Sequence, residues 1–474
     1  MSAAGEWLER LRAALGAEAV LTDPERCAPY LTDHRGLCHG RALAVVRPQD
    51  TQQVARLLAL CHAQRVGVVP QGGNTSYCGG ATPDASGTQV VLLLERLARI
   101  RAVDAVNNSL TAEAGCTLER VQEAAAQAER FFPLSLGSQG SCQIGGNLAT
   151  NAGGTNVLRY GMMRDLVLGL EVVLADGRVL DTLSVLRKDN TGYDVKSLFL
   201  GAEGTLGIIT AASLKLFPAP RRHATALVAL ADVSCAVALL ARLRAASDER
   251  LSSFELIPRA GLELAVRHVP GLRDPLGKAY PWYVLCEGAG NEPGDALQES
   301  LEQALGAALA AGEVLDAALV RGERERADLW RMREGIPAAQ RAAGVGMKHD
   351  IALPVSQLGA FVPRAAAWVA EHVPDGELIA YGHVGDGNLH FNIQARPGAD
   401  PAVFLARTDA VRRAIHDLVH EFGGSFSAEH GIGQLKVTEL ERYATPVELE
   451  LMRALKRTLD PHNILNPGKV LRLP

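Results

Sequence analysis

Pro70-Gln-Gly-Gly-Asn-Thr-Ser-Tyr-Cys-Gly-Gly80 follows directly on Val66 to Val69, an apolar run that reads as a buried strand. A second glycine-rich stretch, Gly137-Ser-Gln-Gly-Ser-Cys-Gln-Ile-Gly-Gly-Asn-Leu-Ala-Thr-Asn-Ala-Gly-Gly154, lies further along the same half. Glycine permits positive φ and lets main-chain N–H groups come close to a ligand. Phosphate oxygens accept several such bonds without a lysine. The first loop lacks the Gly-Lys-Ser/Thr of a P-loop and does not open a helix with G-x-G-x-x-G. Taken alone, it is explained equally by an anion cradle and by a tight crossing of strand and loop. Two such segments in one αβ unit point to a long ligand touched at several places, and a dinucleotide is the natural candidate.

Working outward, strand and helix signals alternate. Ala42 to Arg47 and Val90 to Leu94 read as strands. Asp50-Thr51 caps a helix whose apolar face is Val54, Leu57, Leu58 and Cys61. Leu118 to Arg130 reads as a helix, and Leu166 to Leu174 as a strand turning at Asp176-Gly177. Pro218 and Pro220, followed by Arg221 and Arg222, mark a boundary. Beyond it, strands near Ala224–Leu230, Leu251–Ile257, Trp282–Glu287 and Leu378–Tyr381 alternate with long helices, including one from about Pro401 to Phe422. That pattern predicts an antiparallel sheet with helices on one face. The expected division is 1–220, 221–424 and a last segment, 425–474.

The 474 residues exceed one comfortable core, so two or more domains are expected. The composition, 47% hydrophobic and 21% charged, is that of an ordinary globular protein. With 48 basic and 53 acidic residues and no Lys/Arg block, nucleic acid is a poor partner. No apolar run approaches the ~18 residues that would cross a bilayer, so an integral membrane protein is not expected. Trp7, Leu8, Leu11 and Leu15 before Gly16 read as an amphipathic helix rather than a secretory or transit leader. The eight cysteines include no Cys-x-x-Cys pair, which argues against an iron–sulfur cluster or zinc knot. Their scatter fits free thiols in a reducing compartment, and the cytoplasm is the expectation.

The last quarter carries the chemistry. Gly382-His-Val-Gly-Asp-Gly-Asn-Leu-His390 predicts a hairpin, Leu378–Tyr381 against Leu389–Ile393, across the turn Val384–Asn388. Asp386 and Gly387 are turn formers there. His383, at the end of one strand, can face His390 on the other. His390 and Asn392, two apart, share a strand face. Two imidazoles on adjacent strands suit Zn²⁺ or a similar divalent ion, and Glu429 in Ala428-Glu-His-Gly-Ile-Gly433 is the best third ligand. Neighbouring side chains in a turn diverge, which leaves His430 to reach a substrate hydroxyl as general base; an unperturbed imidazole, at ~6.5, accepts a proton near neutrality. A lone histidine is more often a core or surface residue. His34, His39, His62, His349 and His372 are read that way, and His416 with His420 as a solvated helix face. Alternation puts Ile351 and Leu353 on a buried face, so Lys348 and Asp350 point either into a cleft, where the lysine would suit a carboxylate, or to solvent.

Pro70 to Gly80, Gly137 to Gly154 and Glu203 to Ile209 resemble the flavin domain of the vanillyl-alcohol oxidase / p-cresol methylhydroxylase superfamily. With the two histidine segments and Leu186-Arg-Lys-Asp-Asn-Thr-Gly-Tyr-Asp194, nearly the whole chain resembles the FAD-linked dehydrogenases of D-2-hydroxy acids, most of all those acting on D-2-hydroxyglutarate. The resemblance implies an α+β fold. It implies a two-part FAD-binding domain of the p-cresol methylhydroxylase type, with an inserted substrate (cap) domain built on an antiparallel sheet with helices. FAD would be bound extended and non-covalently. Its contacts would come from Gln71, Gly72, Gly73, Asn74, Thr75, Ser76, Gly79 and Gly80 in the first loop, and from Leu136, Gly137, Ser138, Ser141, Cys142, Gly145, Gly146, Asn151, Gly153 and Gly154 in the second. Glu203, Gly204, Ile209 and Asn466 complete that set.

The resemblance further implies that His383, His390 and Glu429 hold a divalent metal, commonly zinc. Arg333 matches the family's substrate arginine, with Lys348 and Asn392 beside the same acid. Where the family's dicarboxylate enzymes often carry a threonine four residues after that arginine, this chain has Pro337. The implied reaction is oxidation of D-2-hydroxyglutarate to 2-oxoglutarate, with D-lactate or a broader range of D-2-hydroxy acids as the alternative. Electrons would pass to an electron-transfer flavoprotein or a quinone-linked acceptor, and a homodimer is possible. A flavin-binding subunit without catalysis and a metal-dependent hydrolase are the rivals from other classes.

Overall fold

A computed structural model describes residues 3–292 and 294–473. The chain forms two compact units. The first comprises Met1–Gly153, Met162–Ala219 and Glu429–Pro474, and the second Gly154–Gly161 and Pro220–Ala428.

In the first unit, Asp50 caps the helix Thr51–Gln64 by accepting from the Gln53 amide, and Val54, Leu57, Leu58 and Cys61 are fully buried. This helix crosses from the strand Ala44–Val46 to Val68–Gln71, and both pair parallel with Val90–Leu93 between them. Val20–Leu21 joins the edge antiparallel. Every residue of Val90–Leu93 is buried, as expected of a central parallel strand covered on both faces. A second sheet is antiparallel, in the order Ile100–Asp104, Ser109–Glu113, Ile208–Lys215, Val167–Val173, Val179–Thr182. The N-terminal helix Ala3–Leu15 ends at Gly16 and buries Trp7, Leu11 and Leu15.

The C-terminal segment completes this unit. The Val68 amide donates to Ile464 O at 2.7 Å, and the Asn466 amide to Val68 O at 2.8 Å. Lys456, 3% exposed, bonds Asp460, Thr205 O and Leu465 O at 2.6, 2.9 and 2.7 Å. Burial pushes its ammonium below the ordinary lysine range, with Asp460 opposing.

The second unit has two antiparallel sheets. One is ordered Leu251–Pro258, Trp282–Gly290, Arg222–Leu230, Asp316–Leu319. The other sets Asn388–Ala395 against Gly376–Tyr381, Gly346–Met347 and Asp350–Ala352. The structure corrects two expectations here. Leu378–Tyr381 belongs to the second sheet, which is joined to the first by paired bonds between Leu256 and Gly382. The first sheet is covered on both faces. Ala226, Val228 and Val284 enter one core with the helices Val233–Ala246 and Ala296–Ala310, while Leu227, Ala229 and Leu285 enter another with Arg259–His268 and Glu323–Ala343. Ala224 to Leu230 is buried throughout, which a one-sided sheet would not allow.

Two further readings change. The helix expected over Pro401–Phe422 is divided into Pro401–Ala406 and Thr408–Glu421, where Thr408 Oγ1 bonds Leu405 O at 2.7 Å and Arg407 turns to Asp375 at 2.6 Å. His416 is buried at 2% exposure, packed against His349 and Phe426, so only His420 keeps the solvated reading. Among the described residues no helix is long and apolar enough to cross a membrane.

Candidate active site

In the first unit both readings of the glycine loops hold at different residues. A Cβ on Gly73 would meet Ser141 O at 2.0 Å, so the two loops pack backbone to backbone there, and one on Gly145 would meet the Ala114 Cβ at 2.7 Å. Gln71 braces the first loop by donating to Tyr30 O and Ala81 O at 3.0 and 2.8 Å. Asn74, at φ 51°, bonds Thr32 O. Against this bracing, the amides of Gly72, Gly73, Asn74, Thr75, Ser76 and Tyr77 donate to no acceptor among the described residues. In the second loop Ser138 O takes the Ser141 and Cys142 amides at 2.9 and 2.8 Å. Leu136 is half-buried, and a Cβ on Gly137 or Gly146 would meet nothing within 4 Å. A run of unspent amides opposite glycines with room above them fits the phosphates of a dinucleotide.

Several residues expected at the cofactor also brace the loops. Glu203, at φ 49°, accepts the Ile432 and Gly433 amides at 2.7 and 2.8 Å. Burial raises its carboxyl above the usual range, with those two amides opposing. Asn466 Nδ2 donates to Gly80 O and Glu203 O at 2.9 and 2.8 Å, while its buried Oδ1 has no partner among the described residues. Asn151 takes the Arg164 amide, Gly204 packs on Pro70, and Ile209 is buried in its strand. Gly153 closes a segment of this unit, and Gly154 opens the second.

The Ala428–Gly433 motif is also anchored on the first loop. Gln434 N and Nε2 bond Cys78 O and Gly79 O at 2.9 and 2.8 Å. His430 stacks on Tyr77, ring centroids 4.6 Å apart and 24° from parallel, and His34 meets the edge of Tyr77 at 5.9 Å. Glu429 and His430 do not diverge as expected: His430 Nε2 lies 3.9 Å from Glu429 Oε1. Tyr77 was not anticipated, because a tyrosine inside a glycine loop carries no pattern.

In the second unit the hairpin forms, Gly376–Tyr381 against Asn388–Ala395, with Tyr381 opposite His390. His383 and His390 stand 5.5 Å apart, ring to ring, with His390 5.0 Å from Tyr381. Asp350 is buried, accepts from Asn388 Nδ2 at 3.0 Å and lies 4.0 Å from His390 Nδ1, so its strand face is not solvated. Lys348 is half-buried. Asn392 commits its amide within the protein, to the His349 amide and to Gln340 Oε1 at 3.0 Å.

Arg333, 5% exposed on the helix Glu323–Ala343, lies over the Tyr381 ring and bonds Glu255 Oε2 through Nε and Nη2, each at 2.8 Å. The other oxygen of Glu255 meets His383 Nδ1 at 2.7 Å. Burial would raise the Glu255 carboxyl, but His383 and Arg333 outweigh it and hold it at about 2. An ionised carboxylate only accepts, so Nδ1 of His383 carries the proton and Nε2 is the nitrogen with a lone pair to donate to a metal. That donor chemistry fits a divalent metal. Glu255 escaped the sequence reading because a single glutamate inside a buried strand carries no motif.

The chain matches two family models: the FAD binding domain over residues 42–183 and the C-terminal domain of FAD linked oxidases over residues 219–470. It is 41% identical over 456 residues to the D-2-hydroxyglutarate dehydrogenase, mitochondrial, of Bos taurus, spanning 95% of this chain and 81% of that one. It is 38% identical to the probable D-2-hydroxyglutarate dehydrogenase, mitochondrial, of Oryza sativa subsp. indica, spanning 97% and 80%. The solved structure of p-cresol methylhydroxylase with substrate bound shares the fold, with a TM-score of 0.77 at 18% identity, covering 99% of this chain and 97% of that one. The chain therefore belongs to the FAD linked oxidases, in the branch of the D-2-hydroxyglutarate dehydrogenases, and is an FAD-dependent D-2-hydroxyacid dehydrogenase.

Proposed function

We propose that this chain oxidises D-2-hydroxyglutarate to 2-oxoglutarate. In this reading His430 accepts the C2 hydroxyl proton, and Arg333, Lys348 and Asn392 recognise the acid. His383, His390 and Glu429 would hold a divalent metal. The reading is carried by the buried set around Glu255, which fixes a guanidinium and an imidazole in one unit beside the His390 hairpin. An arginine binds a carboxylate through two parallel hydrogen bonds, which orients the acid as well as attracting it. Stacking on Tyr77 limits the swing of the His430 ring, so the base meets the hydroxyl proton in a restricted geometry. When bound, FAD supplies a two-electron acceptor at N5 for the hydride leaving C2. The metal would act as a Lewis acid on the substrate oxygens.

The contact set for FAD is the two glycine loops, with Glu203 and Asn466 acting behind them. The electrons then leave for an electron-transfer flavoprotein or quinone-linked acceptor. The eight cysteines are free, which supports a reducing, cytoplasmic setting. Pro337, one turn beyond Arg333 in the same helix, supplies neither hydroxyl nor N–H and favours a second reading, a D-lactate or broad-range D-2-hydroxyacid dehydrogenase.

A substrate panel with an artificial electron acceptor, run with and without a chelator, tests the proposal. The highest kcat/KM is expected with D-2-hydroxyglutarate, lost on chelation and restored by Zn²⁺ or a similar ion. A strong preference for D-lactate selects the second reading, and activity indifferent to exhaustive chelation removes the metal.

A further inference from the structure

The roles proposed for Arg333 and His383 fall to different chemistry, yet both side chains end on one carboxylate to which neither role gives a part. Glu255 is fully buried on the strand Leu251–Pro258, opposite Leu285, where an uncompensated charge would cost several kcal/mol. Its two oxygens are divided: Oε2 takes Nε and Nη2 of Arg333, and Oε1 takes Nδ1 of His383. The same side chains close a ring by other contacts. Arg333 lies 4.9 Å over Tyr381, Tyr381 is 5.0 Å from His390, and His390 is 5.5 Å from His383.

We infer that Glu255 is a positioning residue that fixes the guanidinium plane of Arg333 and the Nδ1–H tautomer of His383 at once, so acid recognition and metal holding stand on one side chain. This inference rests on the roles proposed above for those two residues. The physical reason is economy of freedom. An arginine bound through two adjacent nitrogens cannot rotate, and an imidazole whose Nδ1–H is held by a carboxylate presents Nε2 in one direction. Because both constraints pass through a single side chain on a buried strand, displacing it loosens both functions together.

The test uses the full-length, FAD-loaded protein with Glu255→Gln and Glu255→Asp. Four quantities are read: the flavin-to-protein ratio, the chelator concentration at which metal is lost, and kcat and KM with D-2-hydroxyglutarate. Glu255→Gln should keep the flavin, lose metal affinity about 10–100-fold and raise KM about tenfold or more. Glu255→Asp keeps the charge but is one methylene shorter and cannot span both partners. It should move metal affinity and KM in the same direction, which a role in charge balance alone would not do. Should Glu255→Gln fail to fold, Glu255→Asp decides. Wild-type metal retention or wild-type KM in a folded variant overturns the inference. His383→Ala separates the two levels. If it keeps metal and full turnover, the ligand role itself falls. If it loses the metal while both Glu255 variants keep theirs, only the positioning role falls.

Discussion

Tyr77 turns a mobile histidine into an oriented one. His430 lies nearly parallel to its ring, and the loop that carries Tyr77 is itself bonded to Gln434 just beyond the motif. His430→Ala removes the proposed base without touching that bonding, so the protein should stay yellow while kcat falls by about 10²–10⁴. Unchanged turnover would transfer the proton to another group. Two glycines separate cradle from packing at the same scale. Gly73→Ala puts a methyl 2.0 Å from a backbone oxygen that cannot yield, so that variant should lose both stability and flavin. Gly146→Ala meets no protein atom and sits in the short helix Ile144–Ala149, where alanine is favoured by about 1 kcal/mol. The apoprotein should therefore be as stable as wild type or slightly more so, while its flavin affinity drops. Wild-type flavin affinity in Gly146→Ala would mean that the ligand does not pass over Gly146.

At the scale of elements, the helix Glu323–Ala343 hangs from two buried carboxylates on neighbouring strands. Arg333 reaches Glu255. One turn and two turns earlier, Trp330 and Arg326 reach Glu287 at 3.0 Å and at 2.6 and 2.7 Å. Burial would raise the Glu287 carboxyl, but the neighbouring His223 and hydrogen bonds from Arg326 and Trp330 hold it at about 2. A folded value depressed below the ordinary 4.5 gives stability that is present above about pH 4.5 and lost as pH falls toward 2. Glu287→Gln lacks that contribution at every pH. It should be less stable than wild type by about 3 kcal/mol at pH 6, and the gap should close by pH 2–3 as the wild-type group protonates. Denaturant unfolding at several pH values reads this; a constant gap would show that the loss is packing rather than charge.

The same elements show what the sequence discloses. The cap of the helix Thr51–Gln64, the 376–395 hairpin and the glycine loops were legible because each is written in neighbouring residues. Glu255 and Glu287 were not, since a lone acid in a strand reads as the solvent side of an alternation, and here the sheet has no solvent side. The break at Arg407 escaped for the same reason: its cause, Asp375, is remote in sequence.

At the scale of the whole molecule, the chain leaves its first unit at Ala219, builds the second, and returns at Glu429 to finish the first. The final segment brings Glu429 and His430, so the first unit's share of the proposed chemistry depends on how firmly that segment is held. The C-terminal helix Pro446–Leu459 exposes Val447, Leu451 and Leu455 and buries comparatively little, so helix packing alone holds it weakly. The anchor is Lys456, whose three donors are all used: one on Asp460, one on Thr205 O in the chain before the insertion, and one on Leu465 O after it. Asp460 in turn takes the Ile464 and Leu465 amides at 3.0 and 2.7 Å. Removing one partner of a buried pair leaves the other uncompensated, at a cost of about 3–5 kcal/mol. Lys456→Met fills the volume but strands Asp460. It should lower the first unit's stability by that amount and lower kcat through disorder of the segment that carries Glu429 and His430. Lys456→Met combined with Asp460→Asn removes the stranded charge and should recover a large part of the stability. A Lys456→Met protein that unfolds at the wild-type denaturant concentration would show that the return segment is held by its apolar residues Ile464 and Leu465 instead.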